Sequence, residues 1–209
     1  MPTITAKKLT ASAQQRMISV FPSELGWVAI QGHGETLQRL VFGFDSANDA
    51  LAALSPNRDH DLAIGAWNKP LIARLQAYAR GKPDDFRDVK LDLGARTEFQ
   101  RRVLAACREV KYGEVSSYAQ LAIAAGAPRA ARAVGTVMSK NCVPLVIPCH
   151  RILSASGSIG GYSSPRGLSM KKQLLAIEAR AIPKSALKFP SMTLEKTKSK
   201  TPGRRTVTR

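Results

Sequence analysis

The stretch Val143-Pro144-Leu145-Val146-Ile147-Pro148-Cys149-His150-Arg151 decides how the rest of the chain is read. An apolar, largely β-branched run is bracketed by two prolines and ends on a cysteine, a histidine and an arginine. Proline fixes its own φ and pushes the preceding residue toward extended geometry, so a stiff segment is expected that delivers Cys149 to a defined place. A thiolate is the most nucleophilic ordinary side chain, and positive charge nearby raises its share at neutral pH. His150 and Arg151 supply basic groups beside it. The local pattern leaves two readings open: a reactive thiol, or an inert one, because free cysteine is among the most buried residue types.

Charge narrows the choice of partner. The net charge of +17 over 209 residues is unevenly spread. Residues 1–94 carry 11 Lys/Arg against 10 Asp/Glu, residues 95–183 carry 13 against 4, and residues 184–209 carry 8 against 1. Basic charge confined to the second half and the tail favours a polyanion, nucleic acid before anionic membrane. No apolar run reaches the length of a membrane span, and Met1-Pro2-Thr3 opens no signal peptide, so a soluble, intracellular protein is expected. Cys107, Cys142 and Cys149 form no paired framework, which suggests reduced thiols in a reducing compartment. With only His33, His60 and His150 to add, no four-ligand zinc site can be written.

Outward from the cysteine, the chain divides into a basic arm (1–16), an early strand-rich part (17–94), a later helical part (95–183) and a basic tail (184–209). Met17–Phe21, Gly26–Ile30 and Leu37–Phe44 alternate like an antiparallel meander, with turns expected at Pro22-Ser23-Glu24 and Gly32-His33-Gly34. Ala47–Leu54 and Pro70–Arg80 are helix candidates; Leu71, Leu75 and Tyr78 share one face of the second, and Gly81 stops it. Phe86–Leu93 alternates and reads as a connector or a further strand. His33 and His60 fall in polar stretches and carry no assigned role.

Thr97-Glu98-Phe99-Gln100 has the form of a capping box. The helix behind it puts Phe99, Val103, Ala106/Cys107 and Val110 on one face, which places Cys107 in the core. Ser117 can cap a helix over Tyr118–Ala125, Gly126-Ala127 turns, and Pro128 is expected to open a second helix through Lys140. Two helices joined by a tight glycine turn have helix-turn-helix form, although ordinary helix packing explains the pattern too. The run Arg129–Gly135 is small and free of acidic residues, as a helix lying against a phosphate backbone requires. Ser154–Ser164 reads as loop and Leu168–Ala179 as a last helix. The tail is too poor in large apolar residues to offset ordering entropy, so disorder is expected there.

Pro148-Cys149-His150-Arg151, preceded by Asn141, resembles the active-site signature of the O6-alkylguanine-DNA alkyltransferases. The resemblance runs from about Phe99 to Glu178, through Tyr112-Gly113-Glu114, Ser117-Tyr118, Ala130–Gly135 and Gly161-Tyr162-Ser163. It implies an α+β protein: a small N-terminal α/β domain with an antiparallel sheet, then a helical, winged helix-turn-helix-like domain carrying the site. It implies a catalytic set in which Cys149 accepts the alkyl group and His150 takes the thiol proton through a water. Glu178 orients His150, Asn141 braces the turn, and Tyr118 helps rotate the nucleotide and protonates guanine N3.

Arg132 matches the finger that replaces the flipped base, and Ser117, Gly135 and Met138 the other DNA-contacting positions. Tyr162 and Ser163 match the loop over the base, and Lys171 a lysine near the site. The partner implied is double-stranded alkylated DNA, held in the minor groove with little sequence specificity by a monomer. No metal, cofactor or membrane is implied; the compartment would be cytoplasmic, or nuclear in a eukaryote. The lesion is O6-alkylguanine, with O4-alkylthymine as a lesser substrate, and each molecule acts once. Without the resemblance, the residues alone favour reading Glu178 as a solvated helix acid and His150 as a satisfied loop histidine. Two departures stand out: Cys142 follows Asn141 where proline is common, and Pro165-Arg166 lengthens the closing loop. A lesion sensor without alkyl transfer would lack the cysteine, and a helix-turn-helix regulator would show major-groove sequence specificity.

Overall fold

The computed structural model describes residues 15–55 and 62–181. The arm before residue 15, His60 and the tail from residue 182 lie outside the described residues, and so do the expectations that fall on them. Strands β1 (Arg16–Ser23), β2 (Gly26–His33) and β3 (Thr36–Phe44) form the expected meander, and β4 (Leu62–Ile64) joins β1 in parallel, giving the order β3-β2-β1-β4. The turns are tighter than the sequence suggested. Ser23 pairs with Gly26 and His33 with Thr36, so Pro22-Ser23 and Gly32-His33 belong to strands and two residues make each turn. Alternation lets the sheet bury both faces. Helix α1 (Ala47–Leu54) covers one face, where Ala50 and Leu54 meet Ile18 and Ala29; Val28, Ile30, Leu40 and Phe42 point to the main core on the other.

Helix α2 (Lys69–Ala79) buries Leu71, Leu75 and Tyr78 in that main core. The connector after it is not a strand. Only Leu91 bridges to Leu37, through Leu37 N–H donating to Lys90 O (2.9 Å) and Asp92 N–H to Leu37 O (3.0 Å). The Phe86 side chain, 1% exposed, is turned inward instead by a left-handed backbone (φ 49°).

Helix α3 (Glu98–Arg108) starts on the expected capping box, with Gln100 N–H donating to Thr97 Oγ1 and Thr97 N–H to Gln100 Oε1. Cys107 is fully buried, as its position on the apolar face required. Strand β5 (Ser116–Ser117) leads into α4 (Tyr118–Ala124), which Ser117 caps in a second capping box with Gln120. Helix α5 (Ala131–Ser139) begins later than Pro128. Ala130 N–H donates to Ala127 O (2.9 Å) and closes a separate turn over Pro128-Arg129, leaving Ala130 as an N-cap without a side-chain bond.

A single 3-10 turn, Cys149–Arg151, is followed by β6 (Ile152–Leu153), which pairs in parallel with β5. Helix α6 (Gly167–Arg180) closes the described chain. It approaches the sheet at Gly43, where an added Cβ would stand 2.8 Å from the Met170 methyl. The apolar core runs without a break from Phe21 and Ile30 in the sheet to Val134 and Leu174 in the helical half. The architecture is mixed α+β. No helix among the described residues is long and apolar enough to cross a membrane.

Candidate active site

The proline-bracketed run does not extend as a strand. Ile147 N–H donates to Val143 O (2.9 Å), Pro144 and Ile147 form an isolated bridge, and Leu145 takes a left-handed backbone (φ 72°). The prolines therefore stiffen a tight turn. A β-branched or bulky residue rarely adopts this φ, and it persists here because neighbouring bonds over-determine it. The Asn141 side chain supplies several of those bonds: Oδ1 accepts from Val143 N–H (3.1 Å), and Nδ2 donates to Ile147 O (2.8 Å) and to the Cys149 sulfur (3.2 Å).

Cys149 lines a cavity of about 340 Å³. Tyr118 from α4 and Gly135 and Met138 from α5 make one wall, and Tyr162 and Ser163 from the loop before α6 make the other. Ser163 Oγ donates to Ser139 O (3.1 Å) and pins the loop to the end of α5. Gly160 is held against Tyr118: an added Cβ would lie 3.1 Å from the phenolic oxygen. A cavity of about 410 Å³ lies elsewhere, between Arg80 and Arg180. Volume does not locate the chemistry; the thiol does.

Burial pushes the Cys149 thiol up, while the Asn141 hydrogen bond, the Lys171 charge and the Tyr162 hydroxyl pull it back. The Tyr162 hydroxyl is buried and makes no hydrogen bond of ordinary geometry, yet it lies close enough to the sulfur for the two to perturb each other. Lys171 is itself fully buried, with Nζ donating to Ile152 O (2.6 Å), and burial lowers its pKa. Burial also raises the Tyr118 hydroxyl, so it enters any reaction as a neutral donor.

Behind the cysteine the polar groups are nearly saturated. Glu178 Oε1 accepts from His150 Nε2 (2.8 Å), Tyr78 Oη (2.5 Å) and Arg151 Nη2 (2.9 Å), and Oε2 accepts from Gly113 N–H (2.9 Å). Burial works to raise this carboxyl, but His150 and Arg151 outweigh it and hold it at about 2. An ionised carboxylate can only accept, so His150 donates through Nε2 and its Nδ1 is the acceptor of the neutral ring. Among the described residues no group bonds the buried Nδ1. Burial pushes the imidazole below its ordinary pKa against the pull of Glu178, so it is neutral near pH 7.

Arg151 corrects the reading of the signature. Its guanidinium does not serve the thiol: it donates to Glu178, to Asp85 (3.0 Å) and to Val110 O (2.6 Å), and lies 5.6 Å over the Tyr112 ring. Of the other expected residues, Ser117 caps α4 beside the cavity, and Arg132 is exposed on the first turn of α5, outside the cavity lining. Sequence reasoning missed Tyr78, Asp85 and Ser139. For Tyr78 a signal existed, because a hydroxyl on a buried helix face needs a partner. Among the described residues no group of three His, Cys, Asp or Glu is placed to hold a metal ion.

A thiol on a braced turn, backed by a histidine–carboxylate pair and opening beside helices α4 and α5, fits a thiol-acceptor transferase. The comparisons say which. Residues 98–180 match the family described as 6-O-methylguanine DNA methyltransferase, DNA binding domain. The methylated-DNA–protein-cysteine methyltransferase of Mycolicibacterium paratuberculosis is 45% identical over 118 residues, covering 56% of this chain and 69% of that one. The namesake from Mycobacterium bovis is 35% identical over 161 residues, covering 77% and 91%. Among solved structures, Mycobacterium tuberculosis OGT in complex with DNA superposes with a TM-score of 0.67 at 32% identity, covering 80% of this chain and 96% of that one. The O6-methylguanine-DNA methyltransferase of Pyrococcus kodakaraensis follows at 0.60 and 28%, covering 78% and 99%. The chain belongs to the methylated-DNA–protein-cysteine methyltransferase family, the enzymes of direct-reversal DNA repair.

Proposed function

We propose that this chain moves the alkyl group of O6-alkylguanine in duplex DNA onto Cys149, once per molecule. The observation that carries the reading is the cavity lined by the buried Cys149 and walled by Tyr118, Gly135, Met138, Tyr162 and Ser163. The relative solved with DNA supports DNA as the partner. Residues 17–94 form the supporting domain and residues 95–183 the winged helix-turn-helix-like domain with the site. Helix α5 lies in the minor groove, where degenerate readout suits an enzyme that meets lesions in any sequence. Arg132, exposed on α5, enters the stack in place of the base, its flat cation suited to stacking. A monomer does this with little sequence preference, and O4-alkylthymine is the lesser substrate.

The alkyl carbon is out of reach in stacked DNA, so the base rotates into the cavity. Ser163 and the backbone around Tyr162 close over it, and Tyr118 reaches guanine N3. The Cys149 proton passes through a water to His150 Nδ1, which Glu178 keeps turned to receive it. The thiolate sulfur attacks the alkyl carbon in line as the carbon–O6 bond breaks. Tyr118 delivers a proton to guanine N3 as the base leaves and takes one back from solvent, while the imidazolium of His150 releases the former thiol proton to solvent. Overall the S–H and C–O bonds are exchanged for S–C and guanine N–H. Lys171 adds positive charge near the thiolate.

Intact-protein mass after incubation with a duplex carrying one O6-methylguanine tests this. One added methyl on the wild type, absent from Cys149→Ala, is expected. Tight lesion binding with no adduct on the wild type overturns the transferase reading in favour of a sensor.

A further inference from the structure

The half of the chain that the proposed function treats as support reaches into the proton path. Tyr78, on α2, is fully buried among apolar neighbours, with Phe86 and Tyr112 packed at ring-centroid distances of 5.6 and 5.8 Å. A phenylalanine would fill such a position without the cost of desolvating a hydroxyl. The hydroxyl donates to Glu178 Oε1 at 2.5 Å, and its oxygen lies 3.2 Å from His150 Nε2. Tyr78 thereby closes a three-membered ring of contacts with the two groups that handle the thiol proton.

The ring has a direction. Tyr78 spends its one proton on Glu178, so its oxygen accepts, and the His150 Nε2–H is shared between that oxygen and Glu178. We propose that Tyr78 is a positioning residue for alkyl transfer: its hydroxyl draws off part of the Glu178 charge and, with it, keeps His150 neutral with Nδ1 turned toward the thiol. The proposal rests on the proposed function, in which His150 takes that proton.

Other charges face the imidazole. Glu178 and Lys171 act on it from α6 and Arg151 from its own turn, while Asp85 and Tyr112 act on Arg151 and Glu178 from loops. None of these changes when the Tyr78 hydroxyl is removed, so Tyr78→Phe isolates one oxygen. Glu178 then loses a donor and its charge bears more fully on His150. The imidazolium is favoured, and the ring stays protonated to higher pH. A protonated His150 cannot take the thiol proton, so transfer is lost on the acid side.

The test uses the full chain labelled with 15N-histidine, of which there are three. In Tyr78→Phe the His150 titration is expected to move up by about one pH unit, and the acid limb of single-turnover transfer from free O6-benzylguanine to move with it, slowing transfer about tenfold at the foot of that limb. Site-specific 3-fluorotyrosine at position 78 keeps the packing, makes the hydroxyl a stronger donor, and should shift both readouts the opposite way. It also serves if Tyr78→Phe fails to fold. Unchanged His150 titration and acid limb in either folded variant overturns the proposal and leaves Tyr78 a packing residue. If no methyl adduct forms on the wild type, the transferase reading has failed instead, and the histidine titration still decides whether Tyr78 governs His150.

Discussion

The two sides of Cys149 are built on opposite rules. In front, toward the cavity, the lining is small or neutral: Gly135, Met138, Tyr118, Tyr162, with few bonds between them. Behind, a carboxylate, a guanidinium, an imidazole and a phenol fit together with scarcely a free donor. The front leaves room for a base and gives up rigidity; the back supplies that rigidity from groups that cost much to bury and are held only by each other. The thiol is placed at the boundary, where the sulfur accepts from Asn141, with the Tyr162 hydroxyl close by and the cavity beside it.

The comparison breaks most violently from the back. Arg151→Met should leave Glu178 and Asp85 without their shared cation and destabilise the protein by about 3–5 kcal/mol, read from urea unfolding. If the loss is under about 1 kcal/mol, the rear cluster is not what holds the turn. Asn141→Ala comes next. It removes donors to Ile147 O and Cys149 and an acceptor for Val143, so about 1–3 kcal/mol of stability and at least tenfold of the transfer rate should go, by unfolding and by single-turnover kinetics.

Acid sharpens the same contrast. Glu178 has a folded pKa held near 2, below its value of 4.5 in the open chain, so its contribution is present above pH 4.5 and lost as pH falls toward 2. His150, pushed below 6.5, adds a loss in the same direction once the pH falls under that value, because the unfolded chain takes up its proton first. Urea midpoints should therefore fall on acidification through both windows, and Glu178→Gln should flatten the lower one.

At the front the effects are smaller. Gly160→Ala presses on the Tyr118 ring and should slow repair of duplex DNA roughly threefold, with little change toward free O6-benzylguanine, on which no nucleotide is rotated. Removing residues 184–209, with 8 Lys/Arg against 1 acid, should weaken DNA binding chiefly at low salt and leave transfer to the free base intact.

The front was more legible in the sequence than the back. Tyr118, Gly135, Tyr162 and Ser163 lie in the short motifs that carry the resemblance, Met138 is assigned through it without a motif of its own, and the structure brings all five to one cavity with Cys149. Local rules also served well where local bonds decide: Thr97 caps through Gln100, and α1 spans Ala47–Leu54 as its alanine-rich pattern suggested. They failed where a bond outside the expected element decides, whether it is near in the chain or far. The Val143–Ile147 run looked extended, but the Asn141 side chain and a left-handed Leu145 fold it into a turn. Pro128 looked like a helix start, but the Ala127–Ala130 bond closes a turn there first. Tyr78 and Glu178 stand 100 residues apart, and no spacing in one chain announces their bond.

The shortest sheet among the described residues sets a mechanical limit. Ser116-Ser117 and Ile152-Leu153 pair directly, one just ahead of Tyr118 and the other just after the turn that holds Cys149. Tyr118 and the thiol thus hang from a common clamp two residues long. A slip of one residue in that pairing would carry the Tyr118 ring and the Cys149 sulfur past each other by about 3.3 Å, well beyond the roughly 1 Å misplacement that already costs a reaction about a hundredfold. The spacing of the ring and the sulfur is therefore set by a pairing that lines no part of the cavity.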